Sequence, residues 1–381
     1  MKKNISQKKA RPSAPFTLNT GPAVVIWSPD FGGHHLLYAG LIAGYLQEQR
    51  HRVIFCGPQE ALDSTEFAVH LSGRSLEIVV GSSLGECVGR APSHSIVVVP
   101  HADRQLAEMV LLRPPLGVTI RALIMRPSRG VVSKRTRILK LTLTWLIDKR
   151  PSISIGELHA IFDNLPSKYF QVPDPALLQE RNISRSAARI KLDLSMPEGA
   201  ILGGILGSIS SRKRPELLLM ALEKLPDKHH VLVAGSLDGS TSTVVEEAKH
   251  RWPDRVHTIT GYLRDETYLD CLQAIDYSFV FHQEWISSGV VVNSLAVGTP
   301  VLVLSGTPLG EFVVRRRLGV ATSATVDGVA DGVARVVQST FEIDQLQIPN
   351  QRDFAEMVLG LNFPPVTGAP SDHTTPPPAK S

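Results

Sequence analysis

The chain has 381 residues, 43% of them hydrophobic, 20% charged and 6% aromatic, with a formal net charge of +4. This is globular composition with room for two domains, too apolar for wholesale disorder. No apolar stretch reaches the roughly 18–20 residues of a membrane-spanning helix, and no apolar core follows the charged Met1-Lys2-Lys3 start, which argues against a secretory signal.

Residues 1–20 are polar and hold Lys2, Lys3, Lys8, Lys9 and Arg11 without an acid; they are expected to be a disordered basic N-terminus. Ala23–Trp27 then reads as a buried strand, followed by a helix over about His34–Gln49 and a strand at Val53–Cys56. Glu77–Val80, Ser95–Val99 and Ala122–Met125 continue the series, in the pattern of parallel strands with helical crossovers.

Residues 121–150 carry nine cations against Asp148, a charge of +8. With +5 on residues 1–20, the remainder of the chain holds −9, so the overall charge says little about nucleic acid. Aromatics are not interleaved with the basic residues and no zinc-finger or RNA-binding signature appears, so no nucleic-acid partner is expected. Residues 121–150 suit peripheral contact with an anionic membrane or a polyanionic acceptor, or are simply a solvated face. Their secondary structure is ambiguous. Leu139, Leu141, Leu143, Trp145 and Ile147 alternate with Lys140, Thr142 and Thr144 as in a strand, while on a helix they spread around most of the circumference.

After the Pro-rich stretch Pro166–Pro175 a second series begins. Ile201–Leu206 is a strand and Pro215–Lys224 a helix with Pro in its first turn. His230–Ala234, Val256–Ile259, Tyr277–Phe281 and Val301–Leu304 follow as strands. The chain is therefore expected to be α/β, with two doubly wound Rossmann-like domains facing a central cleft and ligands beyond the carboxyl ends of the strands. The domains are placed at 21–180 and 181–345. A C-terminal helix within 346–363 is expected to pack back on the body, and 364–381 reads as a disordered Pro-rich tail. Cys56, Cys87 and Cys271 are far apart, without Cys-x-x-Cys, and read as buried reduced thiols of a cytosolic protein.

Chemistry is sought at the strand ends. Gly32, Gly33, His34 and His35 lie between the first strand and its helix, where paired glycines permit close backbone approach and a helix start favours an anion. No further His or Cys stands at ligand spacing, so no metal is expected. His101 follows the strand Ser95–Val99. Gly207 to Arg214 follows the strand Ile201–Leu206, and its Arg212 and Lys213 suit a diphosphate. Cations at a helix start oppose the dipole, so their placement needs another reason. Ser287, Ser288 and Gly289 precede an apolar helix over Val290–Val297 and offer free N–H groups to a second phosphate contact. No Asp-x-Asp, Gly-x-Ser-x-Gly or P-loop motif occurs, which disfavours a metal-bound diphosphate, a serine hydrolase and a P-loop enzyme. Gly-x-Gly-x-x-Gly is missing from the first turns, which disfavours a dehydrogenase.

These residues together resemble a known group. Arg212-Lys213-Arg214-Pro215-Glu216-Leu217-Leu218, then Val231 to Gly235, Val256 to Gly261, Ala274-Ile275-Asp276 and Ser294 to Val301 are similar in kind and order to the donor-binding domain of GT-B glycosyltransferases, in particular the retaining family 4. The N-terminal half resembles the group only through Gly32-Gly33 and Arg50-His51-Arg52-Val53. The resemblance implies transfer of a sugar from a nucleotide-diphosphate sugar to a glycan, a lipid-linked glycan or a small molecule, retaining and without a metal or other cofactor. A cytoplasmic enzyme is expected, and the charge of residues 121–150 is the ground for expecting peripheral contact at the inner face of the membrane. Lys213 matches the group's diphosphate lysine, while Ser208 stands where its partner arginine is usual and Arg212 is the substitute. Asn293 stands at the position of the ribose-holding glutamate, Glu284 lies one position before the second glutamate, and Tyr262 lies where the nucleobase pocket is lined. His101 resembles the catalytic histidine that faces the donor sugar, and Gly32 to His35 would border the acceptor. An inactive sugar-nucleotide-binding protein of this fold and a sugar-nucleotide epimerase are the alternatives.

Overall fold

The structure is a computed structural model. It describes residues 22–31, 35–126, 133–159, 169–177, 182–282, 288–343, 346 and 348–360. The basic N-terminus, the Pro-rich tail and the site candidates Gly32, Gly33, His34, Glu284 and Ser287 lie outside the described residues.

The first domain runs β1 (Val24–Trp27), α1 (His35–Glu48), β2 (Val53–Gly57), α2 (Gln59–Leu62), α3 (Thr65–His70), β3 (Glu77–Val80), α4 (Leu84–Arg90), β4 (Ile96–Val99), α5 (Leu106–Leu111), β5 (Thr119–Ile124), α6 (Lys134–Asp148), β6 (Ile153–His159) and β7 (Phe170–Pro173). The second runs α7 (Arg185–Lys191), β8 (Ile201–Leu206), α8 (Pro215–Ala221), β9 (His229–Gly235), α9 (Gly239–Arg251), β10 (Val256–Thr260), α10 (Asp265–Ala274), β11 (Tyr277–Val280), α11 (Gly289–Ala296), β12 (Val301–Leu304), α12 (Pro308–Arg315), β13 (Gly319–Thr322) and α13 (Val326–Gln338), and α14 (Gln351–Leu359) is the last described element.

Each domain has one parallel sheet, ordered β3-β2-β1-β4-β5-β6-β7 and β10-β9-β8-β11-β12-β13. Parallel strands covered by helices on both faces are apolar along their length rather than alternating. Accordingly β1, β2, β9 and β11 are buried at every residue. Apolar clusters lie on both faces of each sheet. The strand order reverses between β1 and β4 and again between β8 and β11, and such points open a crevice at the strand carboxyl ends. The connections that leave β1, β4, β8 and β11 lead to His35, His101, Lys213 and Ser288 respectively. The fold class expected from the sequence is therefore the one observed.

Helix α1 is apolar on nearly all sides because it is covered twice. Its inner side meets the sheet, and α14 returns to cover its outer side with Phe354, Ala355 and Val358. Tyr38 packs against Phe354 at 5.0 Å between ring centroids and donates to Asp174 Oδ1 at 2.6 Å. A capping box at Asn350 and Asp353 starts α14, and Arg121 closes it by donating to the Val358 carbonyl at 2.5 Å.

Residues 134–148 are helical. Ser133 accepts from Thr136 N at 3.5 Å, and Lys140, Thr144 and Ile147 form the buried stripe at helical spacing. The strand-like alternation was one of residue type and not of burial, since Leu139, Leu141 and Trp145 are exposed. The cations of segment 121–150 do not share one face. Arg121 stacks on Phe170 and binds α14, Lys140 is buried against Asp103, and Arg150 donates to the Leu112 carbonyl. Cys56, Cys87 and Cys271 are buried free thiols. Among the described residues no helix is long and apolar enough to cross a membrane.

Candidate functional site

At the end of β8 the chain turns through Gly207, whose φ of +87° suits only glycine without strain. A short 3-10 turn at Ser211–Lys213 and a left-handed Arg214 then lead into α8. This geometry folds Lys213 back under its own loop. Lys213 is 8% exposed, and its ammonium donates to the Leu206 carbonyl at 2.7 Å. Burial, aided by the charge of Arg212, pushes Lys213 down to about 7. Among the described residues no carboxylate acts on it.

Helix α11 enters from the other side. A Cβ built on Gly207 would lie 3.6 Å from Lys213 Nζ and 3.8 Å from Val290 Cγ2, so the ammonium and the first turn of α11 converge over Gly207. Ser288 precedes that turn, is buried, and makes no side-chain cap, so no cap among the described residues competes with an anion for the first-turn amides. Arg212 is exposed beside Lys213. The diphosphate candidates Arg212, Lys213, Ser288 and Gly289 thus belong to one locality.

His282 follows β11 into the same place, although the sequence assigned it no role. It is buried, its Nδ1 has no hydrogen-bond partner among the described residues, and burial together with Lys213 and Arg212 pushes it down to about 3. It is neutral at physiological pH and can still hydrogen-bond a phosphate oxygen. Only its neighbours in space distinguish it from an ordinary core histidine.

Asn293 is engaged by the backbone on both sides of its amide. Its Oδ1 accepts from Leu177 N at 2.6 Å and its Nδ2 donates to the Gly289 carbonyl at 2.7 Å. The buried amide ties the inter-domain segment to α11. Asn293→Asp turns the donor into an acceptor facing a carbonyl, and is expected to cost about 1–3 kcal/mol, read from urea denaturation. Tyr262 follows β10 and Gly261, and its hydroxyl lies 3.2 Å from His70 Nε2 of the first domain. His70 Nδ1 also lies 3.8 Å from Asp265, so Tyr262 stands at a seam between the domains.

In the first domain the loops after β1 and β4 bring two histidines together. The rings of His35 and His101 lie 3.8 Å apart, tilted by 49°. His35 Nδ1 is 3.9 Å from Asp30 Oδ2, and Arg104 pairs with Asp30 Oδ1 at 2.9 Å. His101 Nε2 is 3.8 Å from Asp103, a carboxylate fixed by Met125 N at 2.8 Å and by Lys140. Burial lowers His101 against the opposing pull of Asp103 and Asp30, so its imidazole is neutral near pH 7.

One ligand atom each from Asp30, His35 and His101 fall within 4.8 Å of one another, a set that could hold a metal ion. Residues distant in sequence supply it, which the search by ligand spacing could not find. Two imidazoles and a carboxylate suit zinc. Arg104 occupies the other Asp30 oxygen, however, and both Arg126 and Arg104 place positive charge at His101. The trio therefore fits a dication poorly. Two pockets of about 320 and 550 Å³ lie away from these loops, one between α1 and the start of α14, the other beside Trp252 and Arg255.

No family model matches the chain, and no curated protein matches its sequence. Solved structures match in shape. Anabaena Alr3699/HepE in complex with UDP and glucose gives a TM-score of 0.59 at 14% identity, over 89% of this chain and 97% of that one. WaaG, a glycosyltransferase involved in lipopolysaccharide biosynthesis, gives 0.54 at 13% identity, over 88% and 94%. The N-terminal domain of Candida albicans trehalose-6-phosphate phosphatase gives 0.52 at 10% identity, over 91% and 95%. At such identities the likeness is one of fold: the chain has the paired Rossmann-like domains of the GT-B architecture.

Proposed function

We propose that this chain is a glycosyltransferase that moves a sugar from a nucleotide-diphosphate sugar to a glycan, a lipid-linked glycan or a small molecule. One observation carries the reading: the buried Lys213 ammonium, which meets no carboxylate among the described residues, beside the first turn of α11. A buried cation is costly alone and becomes favourable when an anion pairs with it. A departing diphosphate is such an anion. The UDP bound by Anabaena Alr3699/HepE on the same fold is in keeping with this.

In the finer reading the enzyme is a hexosyltransferase of the family 4 type, retaining and metal-independent, in polysaccharide biosynthesis. The bond from the anomeric carbon to the diphosphate breaks, and the electron pair goes to the phosphate oxygen. Arg212, Lys213, the amides around Ser287, Ser288 and Gly289, and His282 stabilise that oxygen. An acceptor hydroxyl attacks the same face of the sugar, and its proton passes to the leaving phosphate. His101 orients the sugar, Gly32 to His35 border the acceptor, and Tyr262 and Glu284 contact the nucleoside. The protein acts in the cytoplasm, peripherally at the inner face of the membrane.

Thermal-shift screening with uridine, guanosine and thymidine diphosphate sugars tests the reading, followed by product and anomer analysis with the donor that binds. One nucleotide is expected to raise the melting midpoint by several degrees, with stoichiometric transfer to an acceptor. No stabilisation by any nucleotide overturns the reading. Saturable binding without turnover favours the inactive relative, a reading that the structural use of Asn293 supports. Product without an acceptor marks an epimerase.

A further inference from the structure

Helix α6 is inverted relative to an ordinary surface helix. Its buried stripe holds Lys140 and Thr144 beside Ile147. The inward ammonium is held by Asp103 and the Arg126 carbonyl, and the Thr144 hydroxyl returns to the Lys140 carbonyl at 2.9 Å. Ile138, Leu139, Leu141 and Trp145 point outward instead, each between 46% and 64% exposed. A surface helix normally turns this arrangement the other way. Exposed Lys134, Arg135, Arg137 and Lys149 surround the apolar residues, and the Lys149 ammonium lies 5.3 Å from the Trp145 ring. Within 134–149 the sole acid is Asp148.

We propose that α6 docks the protein on an anionic bilayer, with Ile138, Leu139, Leu141 and Trp145 inserted among the acyl-chain ends and the surrounding cations on lipid phosphates. Apolar side chains ringed by Lys and Arg, with an aromatic at the boundary, suit that environment. A second copy of the chain is the poorer occupant, because a two-fold contact would set this cationic patch against itself. The sequence reading had foreseen an electrostatic contact spread over residues 121–150. The structure moves Arg121, Lys140 and Arg150 inward and narrows the contact to one helix with an apolar centre.

The position of α6 bears on the acceptor. It follows the carboxyl end of β5, the end of the sheet at which Asp30, His35 and His101 gather, and Lys140 links it to Asp103 beside His101. A helix lying in the bilayer there brings that end of the sheet to the membrane, so the acceptor is a membrane-borne, lipid-linked molecule. This last step rests on the sugar-transfer reading; the docking itself does not.

The test uses the full chain with vesicles of phosphatidylcholine alone or mixed equally with phosphatidylglycerol, in co-sedimentation and tryptophan fluorescence. Binding to the anionic vesicles is expected to exceed binding to neutral ones more than tenfold, and salt is expected to weaken it without abolishing it. The variant Ile138→Ser/Leu139→Ser/Leu141→Ser alters exposed positions, so its thermal midpoint and nucleotide binding should match the parent while vesicle affinity falls at least tenfold. Brominated acyl chains should quench the parent's tryptophan emission more than that of Trp145→Phe. Undiminished vesicle binding by the triple variant, equal binding to neutral vesicles, or a dimer in light scattering that the variant dissociates would each overturn the proposal. Because vesicle binding and nucleotide binding are read separately, failure of docking and failure of the sugar-transfer reading are distinguishable.

Discussion

Lys213→Met is expected to lower the rate of sugar transfer about 10²–10³-fold, the usual loss when one charge-stabilising donor is removed. Methionine fills the space of the lysine stem, so the variant should fold. It should be no less stable than the parent at pH 6, because the parent there carries a buried charge that the variant lacks. The pH dependence follows from the displaced titration. With the folded group near 7 and the free side chain near 10.4, the unfolded chain keeps a proton that the folded chain releases. The cost of the buried charge is thus present in full below pH 7, and the stability linked to this residue rises from pH 7 to about pH 10.4. Anion affinity moves oppositely. Pyrophosphate binding should be tightest below pH 7 and weaken by up to about tenfold per pH unit above it, until the proton held by the bound anion is lost in turn. Calorimetric titrations of parent and variant between pH 6 and pH 9 check both parts. A pH-independent affinity, or a variant that binds pyrophosphate equally well, would remove Lys213 from the site.

The same residue shows what could be read from sequence. Lys213 was legible because strand, loop and helix are contiguous, and cations at a helix start had no local reason to be there. The central strands were legible because burial on both faces leaves unbroken apolar runs such as Val231-Leu232-Val233-Ala234. Strand β7 was passed over within the Pro-rich stretch because Pro173 ends it, yet β7 lies at the sheet edge, where a missing N–H is tolerated. Strand β6 was overlooked because Ser154, Gly156 and Glu157 interrupt its apolar residues. The cluster of Asp30, His35, His101 and Asp103 comes from separate loops, so no local pattern announces it. The backbone role of Asn293 was not legible for a related reason: its partner, Leu177 N, lies 116 residues away, and its side chain answers a backbone need created by the way the domains join.

Glycine is the residue on which the geometry of the donor side depends most directly, and Gly235→Ala is expected to be the most damaging single methyl in the second domain. Gly235 ends β9 with a φ of +136°, and its new Cβ would lie 1.9 Å from the Gly207 carbonyl oxygen. That neighbour is backbone and has no rotamer to give. It is also tied, since Gly207 N donates to the Ala234 carbonyl at 2.9 Å and Gly261 N to the Gly235 carbonyl at 3.0 Å. The two strand ends must separate, which should cost at least about 3 kcal/mol from combined strain and overlap. In a domain of this size that is a fall of roughly 6–12 °C in melting midpoint. Nucleotide binding should fall further than stability alone explains, because Gly207 carries the turn that aims Lys213 at α11. Gly239→Ala is the control: no atom lies within 4 Å of its Cβ and its backbone is helical, so a change within about 0.5 kcal/mol is expected. If Gly235→Ala melted with the parent and still bound nucleotide, the close crossing of β8 and β9 could not be the floor of a diphosphate site, and the convergence of Lys213 with α11 would lose its foundation.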